Sequence, residues 1–210
     1  MMSQRSTKKG FTWLAIVIAT TVLCLILAAC QSQRKVIRSA NEIDIDYDTS
    51  RLIQFEIEME GGAVIGGDLY PLNAPITVRN FVKLCEEGYY DGTEFDYVIS
   101  DKIVMCNGQK EETTPYTIFG EFSSNNWRNG LTHYKGTMSM ARKNNDYDSA
   151  YAKFFILLEN RTSYDGEYAS FGKITSGYAN LETISKVDVN GTAPLAPQVI
   201  QTIRILGNIS

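Results

Sequence analysis

From Leu52 onward apolar and polar positions alternate with a period of two. Phe55, Ile57 and Met59 stand against Gln54, Glu56, Glu58 and Glu60. That alternation predicts a strand with one buried and one wet face. Gly61-Gly62 turns the chain, and Ala63–Leu69 predicts the return strand of a hairpin. The period changes at Pro75, where Val78, Phe81, Val82 and Cys85 recur at helical spacing. Pro in a first turn and Gly88 just past a last one bound a helix whose apolar stripe faces a core. Strand-length apolar runs follow at Phe95–Ile99, Ile103–Cys106, Met138–Ala141, Phe154–Leu158, Ala169–Ile174 and Val199–Leu206. The stretch from Gly108 to Asn129 is loop-rich, while Leu181, Ile184 and Val187–Val189 predict a short second helix. Many short strands with two helices predict a mainly β fold, a closed barrel and not a parallel α/β sheet.

The N-terminus departs from this pattern. Arg5, Lys8 and Lys9 precede an uncharged, mainly apolar run from Phe11 to Ala29. A basic start before such a run reads as an export signal. Leu27-Ala28-Ala29-Cys30 resembles a bacterial lipobox, in which cleavage precedes a Cys that takes lipid. The expected organisation is a lipoprotein signal peptide over residues 1–29, a lipidated Cys30 with a tether to residue 50, and one domain from 51 to 210. An uncleaved signal anchor is the competing reading. On either, the domain sits outside the cytoplasm at a membrane surface.

Charge then removes one partner class. Three of the 20 basic residues and none of the 24 acidic ones lie before residue 31, so the remainder carries 17 against 24, a net of −7. Nucleic-acid binding rests on Lys and Arg meeting phosphate, and is not expected. Asp44, Asp46 and Asp48 lack the Gly and Glu that a calcium loop requires, because Thr49 and Phe55 occupy those places. Cys85 and Cys106 lie in apolar surroundings and read as buried, unpaired thiols. With one histidine, His133, no metal cluster is expected.

The central stretch Gly136–Ile156 holds two apolar runs flanking a loop rich in Asn and Asp. Its S-M-A-R followed by D-S-A-x-x-x-F-F-I resembles the signature of cyclophilin-type peptidyl-prolyl isomerases. Leu69-Tyr70-Pro71 with Ala74–Val82, and Gly88–Gly92 with Phe95, are similar to other family segments. So are Gly120-Glu121-Phe122, Leu131-x-His133, and Tyr164-Asp165-Gly166-x-Tyr168-x-x-Phe171-Gly172. The resemblance covers nearly all of residues 53–206. It implies an eight-stranded antiparallel barrel capped by two helices, a proline site on its outer face, no cofactor, and Pro-containing peptide segments as partners. It also makes His133 a hydrogen-bonded scaffold residue. A monomer is expected.

The polar machinery of that site departs from the family. The arginine of its F-H-R-V-I motif is Tyr97 here, within Phe95-Asp96-Tyr97-Val98-Ile99. Where the family has a pocket Phe and a carbonyl-binding Gln, this chain has Lys102 and Met105. Lys153 replaces the Gln before F-F-I, and Ser163 stands where animal members have Trp, so a cyclosporin-type inhibitor is expected to bind poorly. Ile103, Ala141, Phe155, Tyr164 and Tyr168 keep or conservatively replace the apolar floor. Arg142, Lys102 and Lys153 read as solvated charges, with the alternative that one of them refills the place of the missing arginine. The expected function is an extracytoplasmic prolyl isomerase for exported proteins with reduced activity. The alternative is a non-catalytic module that binds Pro-containing segments.

Overall fold

The computed structural model describes residues 34–109 and 115–208. The leader, Cys24 and the expected lipid site Cys30 lie outside them. The main sheet is built from β2 (Ile53–Met59), β3 (Val64–Leu69), β4 (Phe95–Ile99), β5 (Ile103–Cys106), β7 (Thr137–Met140), β8 (Phe154–Leu157), β9 (Ser170–Ser176) and β12 (Ile200–Asn208). These eight strands pair antiparallel in the order β12-β2-β3-β9-β7-β8-β5-β4. The curled sheet meets itself beside β4 and β12 through one isolated bridge, Glu94 to Val199, with no continuous ladder. The Phe95 N–H donates to the Gln198 carbonyl at 2.9 Å there. The result is a half-closed barrel.

Alternation in β2 does what its sequence predicts: Ile53, Phe55, Ile57 and Met59 are buried, while Gln54 is exposed. β3 brings Gly66 and Gly67 against β9. A Cβ on Gly67 would lie 2.5 Å from the Lys173 carbonyl oxygen and 2.7 Å from the Phe55 ring, so this close approach requires glycine.

Helix α1 (Pro75–Glu86) covers one mouth and buries Val78, Phe81, Val82 and Cys85 as its spacing predicts. Phe81 packs on Phe55, Tyr90, Phe154 and Phe171 with ring centroids 5.1 to 6.1 Å away. Its N-cap, Ala74, has no side chain to offer the first-turn N–H groups. Glu121 caps them from 45 residues away, accepting from the Ile76 N–H at 2.9 Å and the Thr77 N–H at 2.8 Å. Helix α2 (Tyr178–Ser185) is anchored by Leu181 and Ile184. It ends before Val187, and the chain continues into a small hairpin of β10 (Val189–Asn190) and β11 (Ala193–Pro194).

Residues 36–50 are not the free tether expected from the sequence. β1 (Lys35–Ile37) lies beside β6 (Tyr116–Ile118), with Ile37 accepting from the Phe119 N–H at 2.9 Å. Ile37 and Ile43 are buried in the main core, and Arg79 of α1 donates to the Ile43 carbonyl and Thr49 Oγ1. Two well-separated isoleucines create no period, which is why the pattern along the chain does not reveal this docking. Cys85 and Cys106 are free and buried. Burial raises both thiols, Cys106 to about 11, so neither is a nucleophile. Among the described residues no helix is long and apolar enough to cross a membrane.

Candidate functional site

Strands β5 and β8 are apolar on both faces, and pleating sends alternate side chains in opposite directions. Val104, Cys106, Phe154 and Ile156 enter the main core. Ile103, Phe155 and Leu157 form a separate cluster, against which Met105, Ala141, Tyr164 and Tyr168 pack. The Phe155 ring meets Tyr168 at 5.5 Å and 89° and Tyr164 at 6.0 Å and 86°; the two tyrosines lie 5.0 Å apart. Phe155 thus forms the floor of an aromatic patch, with walls supplied by the loop before β9.

Register adds Tyr97 to this surface. Tyr97 pairs with Met105, Met105 with Phe155, and Phe155 with Ser139, so the four form one row across β4, β5, β8 and β7. Two strand spacings, about 10 Å, separate Tyr97 from Phe155. Tyr97 is half-buried, and its hydroxyl has no hydrogen-bond partner among the described residues. It is therefore able to donate to a peptide laid over the row.

The three cations diverge from one another. Lys102 and Lys153 are exposed, as expected for solvated charges. Arg142 is not solvated, and its side chain is only 7% exposed. Its Nε donates to the Glu167 carbonyl at 2.8 Å, one terminal nitrogen to Glu167 Oε2 at 3.0 Å, and the other to the carbonyls of Lys143 and Asn144. The guanidinium also stacks on Phe122, Tyr147 and Tyr168. With its donors committed in this way, it does not stand in for the missing arginine. Ser163 is exposed, in the turn that delivers Tyr164.

Sequence reasoning missed a polar chain beneath the patch. Ser139 Oγ lies 2.8 Å from His133 Nε2, and His133 Nδ1 lies 2.7 Å from Asp165 Oδ1. Asp165 Oδ1 also accepts from the His133 N–H at 2.8 Å. The order resembles a hydrolase triad, but Ser139 is fully buried and His133 is 1% exposed, so no substrate carbonyl can reach the hydroxyl. Burial also lowers the imidazole pKa, although Asp165 opposes this. A neutral ring, donating to Asp165 and accepting from Ser139, satisfies both contacts. His133 is thereby a scaffold residue tying the Tyr164 loop to β7. Its partner Asp165 stands in the Y-D-G-x-Y segment, and the acid after Tyr164 was the signal available. Among the described residues no group of His, Cys, Asp or Glu is placed to hold a metal ion.

Comparison with known proteins places this geometry. Residues 53–205 match the family described as cyclophilin type peptidyl-prolyl cis-trans isomerase/CLD. Peptidyl-prolyl cis-trans isomerase B of Bacillus subtilis is 37% identical over 134 residues, covering 62% of this chain and 90% of that protein. The isomerase cyp18 of Streptomyces antibioticus is 32% identical over 165 residues, covering 72% and 98% respectively. Among solved structures, a Cryptosporidium parvum cyclophilin type peptidyl-prolyl cis-trans isomerase superposes with a TM-score of 0.66 at 24% identity. That match covers 75% of this chain and 99% of the other, and it speaks for the fold.

Proposed function

This chain belongs to the cyclophilin-type peptidyl-prolyl cis-trans isomerase family, and we propose that it rotates X–Pro bonds in exported proteins outside the cytoplasm, more slowly than members that keep the site arginine. One observation carries this reading. The apolar patch of Phe155, Ile103 and Leu157 is separate from the core, lies on the outer face, and shares a cross-strand row with Tyr97.

The reaction makes and breaks no covalent bond. Amide resonance opposes rotation with a barrier of about 18–20 kcal/mol. As the bond twists, the nitrogen recovers its lone pair, and a donor aimed at that nitrogen stabilises the twisted form over the planar one. The patch holds the proline ring by burying it and excludes water from one side of the bond. Tyr97 is the side chain positioned to donate. A neutral phenol is a weaker donor than a guanidinium, which supports reduced activity. The extracytoplasmic, lipid-anchored location rests on the sequence of residues 1–30.

The decisive experiment is a proline-isomerisation assay on residues 31–210 beside the Tyr97→Arg variant. The expected result is slow catalysis by the wild type and a gain of up to about 10²-fold in the variant. Equal, background-level rates for both would overturn the enzymatic reading. Tyr97, together with the commitment of Arg142 elsewhere, favours one second reading: the same groove binds Pro-containing segments without turning them over. Peptide binding at background rates in both proteins is its signature. For the anchor, metabolic labelling with palmitate is expected to mark the wild type and not Cys30→Ser.

A further inference from the structure

Arg142 occupies a bracket whose parts come from four segments of the chain. Its guanidinium carbon stands 5.0 Å from the centre of the Tyr168 ring, 4.9 Å from Tyr147 and 5.3 Å from Phe122. Phe122 and Tyr147 meet edge to face at 5.3 Å and 85°. Behind them, Asp148 Oδ1 accepts from the Gly120 N–H at 3.0 Å and Asn125 Nδ2 at 2.8 Å, which holds the 120–125 segment to the 142–148 loop. Asp148 Oδ2 pairs with Arg38 at 2.6 Å. Arg38 follows Ile37, whose carbonyl takes the Phe119 N–H and whose side chain is in the core. Contacts thus run from Arg38 through Asp148 to Gly120 and Asn125, and from Phe122 of that same segment through Arg142 to Tyr168, the wall that stands at 89° to Phe155. Arg38 lies before residue 53, where the match to the family begins.

We propose that Arg142 is a positioning residue for the peptide groove, holding the Tyr168 ring upright, and that the leading segment around Arg38 completes its bracket. This deepens the reading of the patch as a proline-peptide groove and rests on it. A tyrosine wall free to turn would have to be ordered when peptide binds, and that ordering weakens affinity. A guanidinium with its fork satisfied and its faces stacked removes the freedom beforehand. Lysine keeps the charge but loses both the fork and the flat stacking surface. The leading segment then acts on affinity without touching peptide.

The test uses the full chain in detergent and compares wild type, Arg142→Lys, Arg38→Ala, Tyr168→Ala and the Arg142→Lys/Tyr168→Ala double variant. Two quantities are read: KM and kcat on a proline peptide, and the NMR signals of the Tyr168 ring, assigned by their loss in Tyr168→Ala. Arg142→Lys is expected to raise KM about tenfold, a stacking-sized effect, with kcat changed less than about twofold, and to shift the ring signals. Arg38→Ala is expected to shift the same signals in the same direction by less. In the Tyr168→Ala background, Arg142→Lys is expected to leave KM unchanged. Ring signals unmoved by Arg142→Lys would overturn the proposal, and so would KM losses that simply multiply in the double variant. A wild type that neither binds nor turns over a proline peptide would strike the groove reading, and the ring signals would still decide whether Arg142 positions Tyr168.

Discussion

Phe154 and Phe155 are adjacent in β8 and equally buried, yet they belong to different clusters. Phe154 points inward and meets Phe81, Tyr90 and Phe95 at 5.5 to 6.1 Å, rings delivered by α1, the turn after it and β4. Phe155 points outward and meets two tyrosines from a single loop. Closing the barrel demands the first set of contacts. Nothing in closing it demands the second, and an apolar floor outside the core is what a proline ring would use. The comparison separates residues that keep the fold from residues that give it a surface.

The largest expected effect tests that separation directly. Phe154→Ala should cost about 3–5 kcal/mol in denaturant unfolding, because the three rings packed on it cannot collapse onto the void. Phe155→Ala should cost about half as much, since it packs on two rings in a smaller cluster outside the main core, yet it should weaken proline-peptide binding at least about tenfold. Equal stability losses with unchanged binding would dissolve the distinction between the two faces.

Next in size is Glu121, an inside residue that is polar. Replacing it by Ala leaves two buried first-turn N–H groups unpaired, with an expected loss of about 2–3 kcal/mol in the same unfolding measurement. Burial raises its carboxyl from 4.5 to about 7, against the opposing hydrogen bonds from Ile76 and Thr77. A raised folded-state value means this contribution is fully present below about 4.5 and is lost as pH rises through about 7. His133 acts in the opposite sense. Its pKa is lowered from 6.5 by burial, so its share of stability is present above 6.5 and is lost as pH falls below that value. Unfolding free energy followed from pH 5 to 8 should therefore show opposing slopes. Glu121→Gln should remove the falling slope between about 4.5 and 7, and an unchanged profile in that variant would refute the assignment.

At the small end stands the surface pair Arg204–Glu58, between β12 and β2. Arg204→Ala should change stability by less than about 1 kcal/mol and leave peptide binding alone.

How much of this was legible along the chain differs from residue to residue. β4 and β5 run over the very residues their apolar pattern predicts, and α1 keeps the buried face its spacing predicts. The second helix forms where the pattern predicts one but ends sooner. Val187 and Val189 are apolar at helical spacing, yet α2 stops at Ser185 and Val189 starts a hairpin strand. The expected tether fails for a different reason: Ile37 and Ile43 bind to surfaces made by distant segments. For the site, the apolar set of Ile103, Met105, Ala141, Phe155, Tyr164 and Tyr168 is brought together. Arg142, read as a solvated charge, is instead buried and bound.

The order of residues by itself determines where strands and helices run, because a period of two or of 3.6 is a local property that side chains carry with them. It also puts a tyrosine, Tyr97, where the resemblance to the family implies an arginine. Only the folded chain decides which of Phe154 and Phe155 faces outward, since an unbroken F-F-I-L run has no polar partner to mark a side. Only the folded chain likewise joins Glu121 to α1, Asp165 to His133 and Asp148 to Arg38, pairs 45, 32 and 110 residues apart. Hydrogen bonds and ion pairs act over a few ångströms whatever the separation along the chain, so no local pattern announces them.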